Sequence, residues 1–274
     1  MRPLLGTYVA IGTEGAEDQT AVAVDAAFDR IEKIHRLMSF HDPASELSRL
    51  NRNAFRAPQT LSPPVARVLC AALGMARASE GRFDPTVAGR LVASGLLPSP
   101  AGDGVDVRAR WSDVHCLPDR RVRFAKPLWL DFGGIAKGYA VDLAVRALWQ
   151  HGIRSGIVNA GGDLRVFGAP RHIDVRDPAD PGKRIPLLEI RDGAVATSAG
   201  YFSTVSGRSA LIDTDSGDSM GLETSVTVSA PRAIWADALT KVVLACGAAS
   251  IPLLRRLHAQ AIVMTADGHR QVLQ

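Results

Sequence analysis

The sequence has little of what several functional classes require. Only three of its 274 residues are cysteines, Cys70, Cys116 and Cys246, and they lie far apart, without the spacing of a disulfide framework or a zinc site. We interpret them as small core residues or unreactive thiols. Aromatic residues make up only 5% of the chain, too few for a surface that stacks successive bases of a single strand.

Long apolar runs and concentrated charge are also absent. No apolar run approaches the roughly 18 residues that cross a bilayer, so we predict no membrane span. The 32 basic and 28 acidic side chains leave a formal charge of +4, and their scatter favours a solvated surface over a nucleic-acid interface. The N-terminal segment lacks the apolar core of a signal peptide. We therefore expect a cytoplasmic location, or a periplasmic one if a leader has been removed.

Common catalytic and nucleotide-binding motifs are missing as well. The seven histidines form no HExxH pair, and the chain contains neither GxGxxG nor GxxxxGK[ST]. It also lacks the GxSxG turn of serine hydrolases. A zinc or serine hydrolase would have to be assembled wholly from distant residues.

Apolar periodicity predicts a mixture of helices and strands. We expect helices at 20–38, 62–79, 136–150 and 232–246. The start of the second is indicated by Ser62 as N-cap, followed by two prolines in the first turn. Strand patterns are TYVAIG, PLWLD, GIVNAGGDLRVFG, HIDV, PLLEI, AVATSA, SALID and TSVTVSA, and a final hairpin turns at Asp267-Gly268. This order predicts an α+β fold in which antiparallel sheets pack against helices.

The stretch LDFGGIAKGYAVDLA at 130–144 is the first that predicts a site. Asp131 ends a predicted strand, two glycines follow, and Lys137 lies in the first turns of a helix. Such a junction exposes free backbone N–H groups at the positive end of the helix dipole, which favours a phosphate. In the alternative interpretation, the glycines only allow close packing and Lys137 extends into water.

Two further stretches combine acidic residues with turn formers. In GRFDPTVAG, Asp84 precedes a proline and Thr86 follows it, a pattern that indicates either a ligand site or an Asx turn that starts a helix. In IVNAGGDLRVFG, Asn159 and Asp163 flank two glycines. Strand-end glycines mark a close approach of the backbone to a ligand or to a neighbouring strand.

The segment IWADALTKVVLACG predicts a buried helix that carries two charges. Asp237 and Lys241 share one face by their i,i+4 spacing. A buried carboxylate requires a cation beside it, either Lys241 or a metal, because desolvating it alone costs too much. The sequence leaves both the ion pair and the metal site open.

Six stretches, taken in order, resemble the FAD:protein FMN transferase family, also called ApbE: LLGTYVAI, MSFHDPASELSRLN, GRFDPTV, LDFGGIAKGYAVD, GIVNAGGDLRVFG and SVTVSAPRAIWADALTKVV. The resemblance implies a single α+β domain over residues 1–274 that binds FAD and Mg²⁺. It also implies transfer of FMN from FAD to a Thr or Ser hydroxyl of an acceptor protein, with release of AMP. Mg²⁺ takes hard oxygen ligands and would neutralise the pyrophosphate charge as the P–O bond breaks.

The resemblance also implies roles for individual residues of this chain. The FAD site would contain Leu5, His41, Asp84, Thr86, Asp131 and Lys137. The metal site would contain the backbone near Gly134, the carboxylate of Asp237 and the hydroxyl of Thr240.

Several positions depart from the family pattern. His41 stands where the family commonly has a tyrosine, and Leu5 stands where it has a methionine. SALIDTDSG has Ala210 in place of the histidine that is the expected base, so Asp213 becomes the candidate base. Lys241 stands where the family commonly has a metal-binding threonine, and Thr240 lies about 100° away around the helix.

Three hypotheses about function follow. The first is the FMN transferase. The second is an FAD-binding protein without transfer, in which the Lys241 ammonium replaces the charge of the metal. The third is an FAD pyrophosphatase, in which water takes the place of the acceptor hydroxyl and yields FMN and AMP.

Overall fold

The computed structural model describes residues 1–14, 17–100, 104–180, 182–199, 204–205, 208–209, 211–212, 220 and 224–274. Helices and antiparallel strands alternate along these residues, which confirms the predicted α+β fold. The strands are β1 (Arg2–Leu4), β2 (Thr7–Thr13), β3 (Gln59–Thr60), β4 (Val114–Leu117), β5 (Arg121–Phe124), β6 (Gly156–Ala160), β7 (Asp163–Phe167), β8 (Arg171–Arg176), β9 (Arg184–Ile190), β10 (Gly193–Ala199), β11 (Thr204–Val205), β12 (Arg208–Ser209), β13 (Thr224–Ala230), β14 (Gln260–Thr265) and β15 (Arg270–Leu273).

The α-helices of the described residues range from six to 22 residues in length. They are α1 (Glu17–Met38), α2 (Glu46–Asn53), α3 (Pro63–Ala78), α4 (Ala88–Ala93), α5 (Ala136–Gln150), α6 (Ala233–Cys246) and α7 (Ile251–Arg256). The four helices expected from periodicity correspond to α1, α3, α5 and α6, with ends that differ by at most three residues.

The largest sheet has eight strands in the order β1-β2-β6-β7-β10-β13-β14-β15. Every neighbouring pair in it is antiparallel. Helices α5 and α6 pack on this sheet, and α1 packs against α5. The main hydrophobic core lies between these helices and the sheet, as an α+β architecture requires.

Helices α5 and α6 approach closely at one glycine. A Cβ added to Gly138 would lie 2.1 Å from the carbonyl oxygen of Ala233. Asp142 of α5 accepts hydrogen bonds from the N–H groups of Ala233 (3.1 Å) and Ile234 (3.3 Å). The first turn of α6 is therefore capped by a carboxylate from α5, which holds the two helices in one relative position.

The segment PLWLD is not a strand, contrary to the sequence prediction. Asn51 accepts a hydrogen bond from the Leu130 N–H (2.8 Å) and donates one to the Leu130 carbonyl (2.9 Å). The N–H of Asp131 donates to the carbonyl of Pro85. Because a side chain and a loop bond these buried backbone groups, the segment requires no neighbouring strand.

The segment GIVNAGGDLRVFG was predicted as one strand, and the structure divides it into β6 and β7. Gly161 and Gly162 turn the chain between them with φ of 64° and 101°, a conformation that glycine adopts without strain. Ala210 and Asp213 of the predicted strand SALID lie outside the described residues.

One stretch, Ala233–Arg256, is long and apolar enough by composition to cross a membrane, with a mean hydropathy of 1.5. Its centre is a short 3₁₀ turn, where Gly247 has a φ of 52°. Helix α6 packs on β10 and β13 and has nine buried residues. Burial in the core therefore accounts for the apolar composition of α6.

Candidate functional site

A cavity of about 920 Å³ opens beside the large sheet, and its volume is typical of a site for a small-molecule ligand. Its wall is formed by strands β2, β6, β7 and β10, the β8–β9 hairpin, and the loops at 82–87 and 131–134. Lys137 from the start of α5 and Lys241 from α6 extend into it. Arg176 and Arg184, which pair across β8 and β9, also line it.

Two lysines and two aspartates form a charge cluster at the wall of this cavity. This Lys–Asp cluster consists of Lys137, Asp163, Asp237 and Lys241. The Lys137 Nζ lies 2.9 Å from Asp163 Oδ2 and 3.8 Å from Asp237 Oδ1. The Lys241 Nζ lies 2.5 Å from Asp237 Oδ1. The helix pair and the β6–β7 turn together bring these four residues into contact.

Asp237 is fully buried and is the centre of the cluster. Its Oδ2 accepts a hydrogen bond from the N–H of Gly138 (3.1 Å). Burial by itself raises the pKa of this carboxyl, but the charges of Lys137 and Lys241 outweigh it and hold the pKa below its usual value. Asp237 is therefore a buried anion that depends on two ammonium groups.

Asp163 and Lys137 each shift the pKa of the other towards its charged form. Burial and the nearby charge of Asp237 raise the pKa of Asp163, although Lys137 opposes both effects. Burial lowers the pKa of Lys137, but the carboxylates of Asp163 and Asp237 outweigh it, so the net pKa is raised above its usual value. Lys137 thus stays an ammonium group at neutral pH.

The Asp131 carboxylate accepts hydrogen bonds from backbone N–H groups that the sequence predicted to be free for a ligand. The N–H groups of Gly133 and Phe132 hydrogen-bond its carboxylate and lower its pKa, while burial is the larger effect and raises it. A Cβ at Gly133 would lie 2.8 Å from Asp131 Oδ2. Asp131 lines the cavity, but part of this junction is satisfied internally rather than open to a ligand.

Asp84 and Thr86 form an Asx turn, the structural alternative that the sequence left open. The Asp84 carboxylate accepts hydrogen bonds from the Thr86 N–H (2.9 Å), the Thr86 hydroxyl (2.7 Å) and the Trp111 N–H (3.2 Å). Asp84 also lines the cavity, whereas Thr86 does not contribute to the described wall. Their roles in binding FAD stay predictions.

Three further predicted residues lie outside the described wall of the cavity. Leu5 occupies the β1–β2 turn with a φ of 57° and packs on the core. His41 is exposed and meets the ring of Phe40 edge-on at 6.5 Å between centroids. The Thr240 hydroxyl donates to the Asp237 carbonyl (2.7 Å) and lies 2.7 Å from Ser198 Oγ. Asp213 and Ala210 fall outside the described residues.

Two members of the cluster were not predicted as site residues. Asp163 follows the paired glycines in a stretch that the sequence analysis singled out, but only the fold shows that it contacts Lys137. Lys241 was recognised by its i,i+4 spacing as a possible partner of Asp237 and as a departure from the family pattern, but it was not assigned to the site. The cavity-lining arginines Arg176 and Arg184 carry no sequence signal, because they belong to ordinary strand patterns.

Comparison with known proteins identifies the family. The sequence pattern of the ApbE family matches residues 5–264. The chain belongs to the ApbE family. The FAD:protein FMN transferase of Rhodobacter capsulatus is 28% identical and aligns with 97% of this chain and 55% of its own length. The corresponding transferase of Vibrio cholerae is 26% identical and aligns with 88% of this chain and 79% of its own length.

Solved structures agree with this family membership. The ApbE protein of Thermotoga maritima has a TM-score of 0.86 and 26% identity, and the match covers 98% of this chain and 94% of that protein. The apo flavinyl transferase ApbE of Pseudomonas stutzeri has a TM-score of 0.83 at 22% identity, which shows a shared fold. This ApbE-family chain spans about half the length of its R. capsulatus relative.

The residues that the resemblance assigns to Mg²⁺ do not form an open metal site in this ApbE-family chain. Asp237 Oδ1 is in contact with the Lys241 ammonium, and the Thr240 hydroxyl is engaged with backbone and with Ser198. Gly134 offers only backbone, and a Cβ there would lie 3.4 Å from Lys241 Cε. In the described residues, no three His, Cys, Asp or Glu side chains group as metal ligands.

Burial of Asp84 leads to a prediction about pH. Burial raises the pKa of Asp84 above its ordinary value of 3.8. Between the ordinary and the raised pKa, the native state therefore binds more protons than the unfolded state. The free energy of unfolding of wild type, relative to Asp84→Asn, is therefore expected to fall as the pH rises from about 4 to about 7. Urea denaturation of both proteins across this range measures the difference.

Asp267 supplies a control of the opposite sign. It is fully exposed, and hydrogen bonds from Thr265 and His269 lower its pKa. The free energy of unfolding of wild type, relative to that of Asp267→Asn, is expected to rise as the pH increases from the lowered pKa to the ordinary value of 3.8. A stability difference for Asp84→Asn that does not change with pH would contradict the prediction.

Proposed function

We propose that this chain is an FAD:protein FMN transferase, which moves FMN from FAD to a Thr or Ser hydroxyl of an acceptor protein and releases AMP. One observation carries the proposal: Lys137 and Lys241 both extend from adjacent helices into the same cavity of about 920 Å³. Relatives in the same family bear the name FAD:protein FMN transferase. A ligand with a pyrophosphate between two ring systems matches a cavity that has cations at its wall.

The rest of the wall fits the other parts of a dinucleotide. Gly133, Gly134, Gly161 and Gly162 line the cavity, and Gly162, with nothing within 4 Å of an added Cβ, leaves room for a phosphate oxygen to approach the backbone. Apolar side chains that suit flavin or adenine rings lie on the remaining wall, namely Phe83, Val87, Leu91, Leu97, Ile173 and Val175. A mainly apolar pocket with a few convergent charges is the usual form of a cofactor site.

The reaction is a displacement at phosphorus. The acceptor hydroxyl oxygen forms a bond to the phosphorus of the FMN half, and the bond from that phosphorus to the bridging oxygen breaks. AMP leaves with the bridging oxygen and its electron pair, and the hydroxyl proton passes to a base, for which Asp213 is our candidate. Lys137 and Lys241 neutralise the charge that develops on the pyrophosphate, and this is the main requirement in phosphoryl transfer.

The family resemblance also implies Mg²⁺, which would supply charge neutralisation at the pyrophosphate. Because the described residues do not form an open site for it, the proposed reaction assigns this role to the two ammonium groups. The acceptor protein and its Thr or Ser site are part of the proposal.

Incubation with FAD and an acceptor protein tests the function. The acceptor is one whose flavinylation by another ApbE-family transferase has been verified. We expect a flavin-fluorescent band in a denaturing gel, a mass gain that corresponds to FMN, and one AMP released per acceptor. Lys137→Met is expected to slow transfer by about 100-fold or more. The control Lys126→Met changes an exposed lysine that pairs with Asp106 and Asp113, and we expect an unchanged rate.

The products distinguish the competing functions. AMP release without an acceptor indicates FAD hydrolysis, and bound FAD without AMP indicates a binding protein. Absence of both covalent flavin and AMP, with the competent acceptor, contradicts the proposed transferase.

A further inference from the structure

Lys241 lies where a divalent cation would contact this site. Its Nζ is 2.5 Å from Asp237 Oδ1 and 3.0 Å from the Asp237 backbone oxygen. The side chain is 18% exposed and lines the same cavity as Lys137. The ammonium group therefore contacts two oxygens of one buried aspartate.

Every oxygen of Asp237 already has a hydrogen-bond donor beside it. Its Oδ2 accepts from the Gly138 N–H, and its backbone oxygen accepts from both Thr240 Oγ1 and Lys241. Its Oδ1 contacts Lys241 and lies 3.8 Å from Lys137 Nζ. Mg²⁺ binds oxygen at about 2.0–2.1 Å in near-octahedral geometry, so its entry would require Lys241 to leave.

The charge of the Lys–Asp cluster leads to the same conclusion. When all four groups are ionised, the two ammonium groups balance the two carboxylates. A divalent cation added between two ammonium groups is repelled by both. Without the Lys241 charge, the same cluster would carry one net negative charge and would attract a cation.

The Lys241 ammonium still has donor capacity for an anion. It carries three N–H bonds, and the two contacts with Asp237 use two of them. Its stem passes over Gly134, where a Cβ would lie 3.4 Å from Lys241 Cε. The stem of Lys241 thus packs beside Gly134 at the cavity wall.

We propose that the Lys241 ammonium replaces the divalent cation in this chain, so that FAD binds through the Lys137 and Lys241 charges without Mg²⁺. This inference rests on the proposed function, because it assumes that the anion in the cavity is the pyrophosphate of FAD. An ammonium supplies charge and hydrogen bonds but no coordination to orient phosphate oxygens. Lys241 is accordingly a specificity-determining residue, which selects metal-free binding.

Calorimetric titration with FAD, in EDTA and in excess Mg²⁺, tests the inference on the full chain. For wild type we expect equal dissociation constants in the two conditions, within about threefold. For Lys241→Thr, which removes the ammonium and adds an oxygen ligand, we expect binding about tenfold weaker in EDTA and recovery with Mg²⁺. For Lys241→Met, of similar length but without oxygen, we expect the loss without the recovery. Lys126→Met should behave as wild type.

A direct metal measurement avoids dependence on FAD. Mn²⁺, followed by water-proton relaxation, is expected to bind Lys241→Thr and not wild type. Thermal melts test whether each variant is folded. We expect all of them to fold, because Lys137 remains beside Asp237. FAD binding by wild type that tightens tenfold or more with Mg²⁺ overturns the inference and leaves the proposed function standing. If wild type binds FAD neither in EDTA nor in Mg²⁺, both the proposed function and the inference are contradicted.

Discussion

Replacing Asp237 by asparagine is expected to lower the free energy of unfolding by about 3 kcal/mol, because it leaves two ammonium groups at one site with a single carboxylate between them. Asparagine has nearly the same shape and keeps an oxygen for the Gly138 N–H, so the change removes mainly charge. Lys137 and Lys241 are 28% and 18% exposed. This residual contact with solvent places the expected loss at the lower end of the range for buried pairs.

Urea denaturation measures this loss against a matched surface change. Asp25→Asn removes the partner of Arg2 in an exposed ion pair at 2.5 Å, in which Asp25 is 66% exposed, and we expect a change of about 0–1 kcal/mol. The double variant Asp237→Asn/Lys241→Met should regain part of the loss, because it also removes one unpaired cation. Equal effects for Asp237→Asn and Asp25→Asn would show that the cluster contributes nothing to stability.

Replacing Gly138 by alanine is expected to destabilise the protein by about 3 kcal/mol or more, at or above the upper end of the usual cost of overpacking. The added Cβ would lie 2.1 Å from Ala233 O, 2.5 Å from Ala233 C and 2.8 Å from Ile234 N. These obstacles are backbone atoms, so no side-chain rotation relieves the clash and α5 must move away from α6. The shift also lengthens the hydrogen bond from Gly138 to Asp237.

Gly74→Ala provides a control of opposite sign. Gly74 lies within α3 with no heavy atom within 4 Å of an added Cβ. Alanine there is expected to stabilise the protein by about 0.4–1 kcal/mol, since it reduces the freedom of the unfolded chain and favours the helix. Chemical denaturation of both variants measures the two signs. A Gly138→Ala variant as stable as wild type would mean that the two helices can separate without cost.

Apolar periodicity predicted the long elements well, because burial of one face imposes its period on the sequence. It failed at PLWLD, where apolar residues are buried in a segment whose backbone bonds to Asn51 and Pro85. A buried strand can have the same apolar run, and these two distant partners distinguish the two cases. It also missed the β6–β7 turn, although the paired glycines at 161–162 were noticed.

The sequence predicted those site residues that lie next to turns and missed a contact between distant residues. Asp131, Asp84 and Lys137 line the cavity, as expected for residues next to turns. Asp163 was not assigned to the site, because its importance comes from a contact with Lys137, 26 positions away, that a motif does not record. Lys241 was recognised as a possible partner of Asp237, but its spacing alone does not show that it lines the cavity. The single-domain prediction, the Asp213 base and the cellular location stay predictions.

The sequence by itself determined the family, the α+β class, and the presence of an aspartate and a lysine one turn apart on a buried helix. These properties follow from local pattern and from ordered motifs. Only the tertiary structure decided what that pair does. It brings Lys137 and Asp163 to the same place, turns the Thr240 hydroxyl towards Ser198, and leaves the Lys241 ammonium on the oxygen that a metal would use. The physical reason is that charge balance in a buried cluster depends on every group within a few ångströms, and the fold alone sets which groups those are.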